Sequence, residues 1–131
     1  MDAKRIVVVD DEPDVLEVIA ARLTANGYQV TTASDDQEAL ERIRHEPPDL
    51  IVLDVMLPRL NGHEICVILK QDRPYQHIPI VMLTAQAHQD DERLAKESGA
   101  DAYLHKPYDA PLLLETIHTL LAVPRWPAAQ S

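Results

Sequence analysis

Five short apolar runs, four of which end at a polar residue that could carry a function, constrain the fold of this chain more than any other feature. The runs are rich in Val and Ile and show no strict alternation, which is typical of parallel strands covered on both faces. Between them lie segments with apolar residues at helical spacing. This alternation predicts an α/β fold with a parallel sheet, helices on both faces and right-handed crossovers. The predicted strands are 5–9, 28–32, 50–53, 80–83 and 102–104, and the predicted helices are 13–26, 36–45, 62–71, 89–98 and 109–121.

Residues that favour helix ends mark several of these boundaries. Pro13 suits the first turn of the first helix, and Gly27 suits its C-terminal cap. Gly99 is expected to end the fourth helix. Asp109 is a suitable N-cap for the fifth helix. These residues therefore predict several helix ends without reference to the apolar runs.

The polar residues that end the runs are the candidate functional residues. In open α/β sheets, ligands bind in the crevice at the carboxyl ends of the strands. Two like charges about 4 Å apart repel by roughly 4 kcal/mol at an effective dielectric of 20, so several acids in one crevice favour a bound cation. Mg²⁺ typically takes one or two carboxylates and leaves positions for phosphate oxygens. These residues are Asp10 and Asp11 after the first run, Asp54 after the third, Thr84 after the fourth and Lys106 after the fifth.

Each candidate also has an ordinary structural explanation. Asp11 alone could cap a helix, and an Asp after a strand often forms a turn. Thr84 could cap a helix or bond a phosphoryl oxygen, and most lysines are simply solvated. Two adjacent acids nevertheless exceed what capping needs, and the pattern D-x-x-x-P-x-x-x-G that begins at Asp54 gives the acid a stiffened loop. Lys106 is followed by a proline and shares the predicted crevice with the acids.

Composition excludes several other classes of function. A chain of 131 residues is expected to form one domain, and its single cysteine excludes an intrachain disulfide and fits a reducing, cytoplasmic compartment. We expect neither a signal peptide nor a membrane span. The net charge of −10 and the scattered basic residues argue against direct binding of nucleic acid. The six histidines lack metal-ligand spacing and are interpreted as solvated or structural: His45, His63, His77, His88, His105 and His118.

The order of the motifs resembles the receiver domain of two-component response regulators. The pair DD after strand one, D-x-x-x-P-x-x-x-G after strand three, T-A after strand four and K-P after strand five follow one another over about residues 4–121. The resemblance implies the flavodoxin-like fold, a doubly wound five-stranded parallel sheet in the order 2-1-3-4-5 with five helices. We expect a receiver domain over residues 1–122 and a proline-containing tail or linker start over residues 123–131.

The resemblance also implies an acceptor and a metal site. Asp54 matches the aspartate that accepts a phosphoryl group. Asp10 and Asp11 match the acidic pair that holds Mg²⁺, together with Asp54 and the backbone carbonyl of Met56. Met56 stands two residues after the acceptor and brings no polar group that could orient a hydrolytic water.

A switch and a set of partners follow from the same resemblance. Thr84 and Tyr103 match the switch pair, and Lys106 matches the lysine that contacts the phosphoryl group. The donor would be a sensor histidine kinase or a histidine phosphotransfer protein, and the reader a downstream effector protein or output domain. The expected protein catalyses only its own phosphorylation and dephosphorylation. No Lys or Arg lies between Lys106 and Arg125, where the dimerising members of the family need basic residues, so we expect a monomer or a dimer through another face.

Two further functions remain open at this point. The first is a receiver-like interaction module that works without phosphorylation, against which the complete acidic set argues. The second is a Mg²⁺-dependent phosphatase with an aspartyl intermediate. Such enzymes usually carry a second acid two residues after the nucleophile, where this chain has Met56.

Overall fold

Strands and helices alternate along the chain as the sequence predicts. The structure is a computed structural model and describes residues 3–54, 62–84, 93, 96–105 and 109–122. Helical backbone at residues 93 and 96–98 lies between the last two strands, within the predicted fourth helix. The strands are β1 (Arg5–Val9), β2 (Gln29–Ala33), β3 (Leu50–Asp54), β4 (Ile80–Thr84) and β5 (Ala102–His105), and the other helices are α1 (Pro13–Ala25), α2 (Asp36–His45), α3 (Gly62–Lys70) and the C-terminal helix (Ala110–Ala122).

The strands form one parallel sheet in the order β2-β1-β3-β4-β5. This confirms the predicted fold class and strand order. β3 lies at the centre, and all five of its residues are buried, as are all five of β4. β2 and β5 are the edge strands and are only partly buried. The central strands therefore provide the most protected positions in the fold.

Helices cover both faces of the sheet. Alternate strand residues such as Val7, Leu53 and Met82 pack with buried residues of α2 and α3 in one cluster. The intervening residues, such as Val8 and Val52, pack with α1 and the C-terminal helix in a second cluster. Burial on both faces explains why the strands read as continuous apolar runs. Within the described ranges, no helix is long and apolar enough to cross a membrane.

The helix ends follow the residues that predicted them. Pro13 is the first residue of α1, and Gly27, just after the Asn26 cap, has a φ of 92° that favours glycine. Gly99 has a φ of 96°. The side chain of Asp109 accepts a hydrogen bond from the backbone N–H of Leu112 at 3.4 Å. Local residue choices therefore fix where several helices begin and end.

A lysine anchors the sheet at the end opposite the candidate site. Lys70 Nζ, at the end of α3, donates to the backbone carbonyls of Gln76 at 3.2 Å and Ile78 at 2.9 Å, and to Asp101 Oδ2 at 3.0 Å. Asp101 Oδ2 also accepts from the backbone N–H of Ile80 at 2.8 Å. This network, the Lys70 anchor, ties α3 to the first residues of β4 and β5.

Candidate functional site

The carboxyl ends of three adjacent strands bring together three of the predicted residues. Asp10 directly follows β1, Asp54 is the last residue of β3, and Thr84 is the last residue of β4. Val9 pairs with Leu53 across β1 and β3, so Asp10 and Asp54 occupy equivalent positions at the sheet edge. The exposed fractions of Asp10, Asp54 and Thr84 are 0%, 2% and 0%. Polar groups this deeply buried need partners inside the protein or a bound ligand.

The acidic cluster is formed by Asp10, Asp11 and Glu12. One carboxylate oxygen from each lies within 4.8 Å of the others. Asp10 is buried and its Oδ1 accepts a hydrogen bond from the backbone N–H of Glu12 at 2.9 Å, whereas Asp11 is exposed. An all-oxygen donor set of carboxylates is the type that Mg²⁺ prefers. The cluster therefore fits a hard divalent cation.

The alternative explanation of Asp11 as the helix cap is wrong. The N-cap of α1 is Glu12, whose backbone is extended with φ −95° and ψ 111°. Asp11 precedes the cap by one residue because Pro13 occupies the first helical position and sets the cap immediately before it. The carboxylate of Asp11 is therefore not used to cap the start of α1.

Asp54 occupies the centre of the sheet edge. β3 lies between β1 and β4, and Asp54 pairs with Leu83 of β4. A carboxylate that is 2% exposed pays a large desolvation cost unless it is hydrogen-bonded or lies near a cation. Its strand lies between β1, which leads into the acidic cluster, and β4, which ends at Thr84.

The Thr84 hydroxyl contacts β5. Its Oγ1 lies 2.9 Å from Nδ1 of His105 and 3.4 Å from the carbonyl oxygen of Leu104. Hydrogen bonds between such groups are usually shorter than 3.2 Å, so the contact with His105 is the stronger of the two. Thr84 and His105 are register partners across β4 and β5.

Tyr103 lies two residues before His105 and therefore on the same face of β5. The two rings meet edge to face, with centroids 6.2 Å apart and an angle of 69° between their planes. Lys96 Nζ lies 6.0 Å from the centroid of the Tyr103 ring. Tyr103 is thus the partly buried neighbour of a side chain that touches Thr84 directly.

Sequence reasoning missed His105, which it had grouped with the other histidines. The usable signal was its position: if β4 and β5 pair so that their last residues are partners, His105 stands opposite Thr84. Lys106 and Met56, the remaining predicted site residues, lie outside the described residues.

Residues 6–118 match the family model described as the response regulator receiver domain. The chain is 49% identical over 105 residues to the alkaline phosphatase synthesis transcriptional regulatory protein PhoP of Bacillus subtilis, covering 80% of this chain and 43% of that protein. It is 39% identical over 118 residues to the DNA-binding response regulator MtrA of Mycolicibacterium smegmatis, covering 90% of this chain and 50% of that protein. The chain thus spans half or less of the length of these relatives.

Solved structures show the same fold. A putative response regulator from Chloroflexus aurantiacus superposes with a TM-score of 0.90 at 33% identity, covering 93% of this chain and all of that one. The chemotaxis protein CheY4 of Vibrio cholerae superposes with a TM-score of 0.85 at 30% identity, covering 90% of this chain and 98% of that one.

Proposed function

Because this chain belongs to the response regulator receiver domain family, we propose that it is a switch that accepts a phosphoryl group on Asp54. The donor is a phosphohistidine of a sensor histidine kinase or of a histidine phosphotransfer protein. The observation that carries the proposal is the position of Asp54. It is a buried carboxylate at the end of the central strand, between the strand ends that hold Asp10 and Thr84.

A cation site accompanies the acceptor in this proposal. Asp10, Asp11, Asp54 and the backbone carbonyl of Met56 would hold one Mg²⁺. When bound, the ion offsets negative charge on the transferred phosphoryl oxygens. The oxygen-only donor set of the acidic cluster supports this choice of metal.

The transfer follows from the chemistry of the acceptor. A carboxylate oxygen of Asp54 attacks phosphorus, a P–O bond forms, the P–N bond to the donor histidine breaks, and its imidazole leaves with the electron pair. Lys106 contacts the phosphoryl group as a mobile point charge. The product carries about two negative charges where the carboxylate carried one.

The switch pair, Thr84 and Tyr103, then responds to the added charge. The Thr84 hydroxyl turns to donate to a phosphoryl oxygen, and Tyr103 turns inward to fill the space it leaves. The surface changed by this movement comprises β5, the C-terminal helix and the predicted helix before β5. A downstream effector protein or output domain would bind this surface.

Asp54→Asn should abolish phosphorylation, because an amide oxygen is a far weaker nucleophile than a carboxylate. The test incubates the protein with a small phosphodonor and Mg²⁺ and weighs it intact. The parent should gain the mass of one phosphoryl group and the variant none. Asp36→Asn is the matched control, since Asp36 is also a buried aspartate but lies in α2, and it should be labelled like the parent.

Full labelling of Asp54→Asn would place the acceptor elsewhere. A parent protein that takes up no phosphoryl group would instead favour an interaction module that works without phosphorylation. Continuous turnover of an external phosphate ester would favour the phosphatase.

A further inference from the structure

His105 touches both members of the switch pair. Its Nδ1 lies 2.9 Å from the Thr84 hydroxyl, and its ring meets the Tyr103 ring edge to face at 6.2 Å. Both contacts follow from the register that pairs Thr84 with His105 and from the two-residue spacing within β5. His105 is therefore placed to act on both members of the switch pair.

The contact with Thr84 opposes the movement that activation requires. A threonine hydroxyl has one proton, and a phosphoryl oxygen can only accept. If Nδ1 accepts that proton from Thr84, the same proton cannot be donated to the phosphoryl group. If Nδ1 instead carries a proton and donates it to Oγ1, the contact still holds the oxygen beside β5. In both tautomers, moving the hydroxyl towards Asp54 breaks this hydrogen bond.

Burial increases the cost of breaking the hydrogen bond between Thr84 and His105. Thr84 is 0% exposed, so bulk water does not replace the lost partner when the hydroxyl leaves His105. The second contact, with the carbonyl oxygen of Leu104 at 3.4 Å, is too long to hold the hydroxyl as firmly. The release of Thr84 therefore depends mainly on His105.

We propose that His105 is a positioning residue that sets the threshold of the switch by retaining the Thr84 hydroxyl on β5 until a phosphoryl group competes for it. The proposal rests on the proposed function of Asp54. Because the His105 ring also packs against Tyr103, loosening Thr84 and turning Tyr103 are coupled through one side chain. A chain with an apolar residue at this position would activate more readily.

The test measures the affinity of the whole chain for beryllofluoride with Mg²⁺, a mimic of the phosphoryl group. His105→Phe keeps a ring beside Tyr103 but removes the nitrogen that holds Thr84. It should bind the mimic about fivefold more tightly, the equivalent of one hydrogen bond worth about 1 kcal/mol. The separate variant His105→Asn places an amide near the position of Nδ1, and its affinity for the mimic should stay close to that of the parent.

A second background shows whether His105 acts through the hydroxyl. Thr84→Val removes the hydroxyl while keeping the side-chain shape. In this background, His105→Phe should change the affinity for the mimic by less than about twofold, because the interaction it removes is already absent. Without the mimic, NMR of the Tyr103 ring should show a larger inward-turned population in His105→Phe than in the parent. This difference should disappear in the Thr84→Val background, whereas a direct packing effect of the new ring on Tyr103 would persist there.

Two outcomes overturn this inference alone. One is a parent that binds the mimic while His105→Phe binds it equally well. The other is the same tightening in the Thr84→Val background as in the parent background. A parent that does not bind the mimic at all contradicts the proposed function itself, and the role of His105 fails with it.

Discussion

Asp10 and Asp11 are adjacent in the chain but differ in what surrounds them. Asp10 is fully buried, and its carboxylate is oriented by the backbone N–H of Glu12. Asp11 is exposed and is not the cap of α1. A fixed acid beside a movable one suits a cation site, because the movable side chain can adjust to the ion without disturbing the fold.

Asp11→Ala should weaken Mg²⁺ binding by at least about tenfold, a loss typical of damage to a metal site. The fold should be kept, because the side chain is exposed and caps nothing. Isothermal titration of Mg²⁺ into parent and variant measures the change, and phosphorylation should slow with it. The matched control is Asp14→Ala, which removes an exposed acid from the first turn of α1 outside the cluster. Equal Mg²⁺ affinity in Asp11→Ala and the parent would place the ion elsewhere.

The sequence predicts that Asp10, Asp54 and Thr84 lie at strand ends, because a polar residue at the end of an apolar run is visible without a structure. The contact of His105 with Thr84 was not visible in the same way. It joins residues 21 positions apart, and it depends on the register of β4 and β5. A shift of that register by one residue would send the His105 side chain to the other face of the sheet.

At the scale of elements, the Lys70 anchor joins the end of α3 to the starts of β4 and β5. Lys70 and Asp101 are only 17% and 15% exposed, so their ion pair is screened much less than a surface pair. The same carboxylate fixes the first residue of β4 through the Ile80 N–H. The anchor therefore helps to set the β4–β5 register on which the Thr84–His105 contact depends.

Asp101→Ala should lower the free energy of unfolding by about 2 to 3 kcal/mol, because it leaves the Lys70 ammonium and the Ile80 N–H without this acceptor. Urea denaturation measures the change. The control is Glu97→Ala, which breaks the ion pair between Glu97 and Arg93. Both side chains of that pair are 63% exposed. That change should stay within about 0.5 kcal/mol. If the two variants are destabilised equally, the anchor does not stabilise the fold as described.

The ends of all five strands were predicted to within one residue, and the one-residue shift of β2 has a local cause. The second strand was predicted over 28–32 but runs from Gln29 to Ala33. Tyr28 donates its backbone N–H to Leu23 of α1 and so still belongs to the helix end. Ala33 accepts from the N–H of Asp10 at 3.1 Å, which prolongs the hydrogen bonding between β1 and β2. The apolar residues of a strand do not show where its backbone hydrogen bonds to the neighbouring strand begin or end.

At the scale of the whole molecule, the charge of −10 shapes which partners can approach. The C-terminal helix carries no Lys or Arg, and its residues Glu115 and His118 are exposed. Leu112 on the same helix is also exposed. This face lacks the cations that would pair with the acids of a second copy.

We therefore predict that the chain stays monomeric when it carries the phosphoryl mimic, and light scattering with and without beryllofluoride measures this. The expected mass is that of one chain in both states, since like charges on two copies repel and no basic partner residue is available on the C-terminal helix. A mass of two chains in the presence of the mimic would contradict the prediction.

The spread of the candidate site along the chain limits which genetic exchanges can leave the site intact. The acids after β1 lie near the start of the chain, and the residues that touch Thr84 lie near the end of β5, with the acceptor between them. A genetic crossover between residues 12 and 84 would thus unite the acidic pair of one parent with the threonine and histidine of another. A recombination event that keeps matched acids, acceptor, threonine and histidine together must therefore transfer the whole stretch from Asp10 to His105.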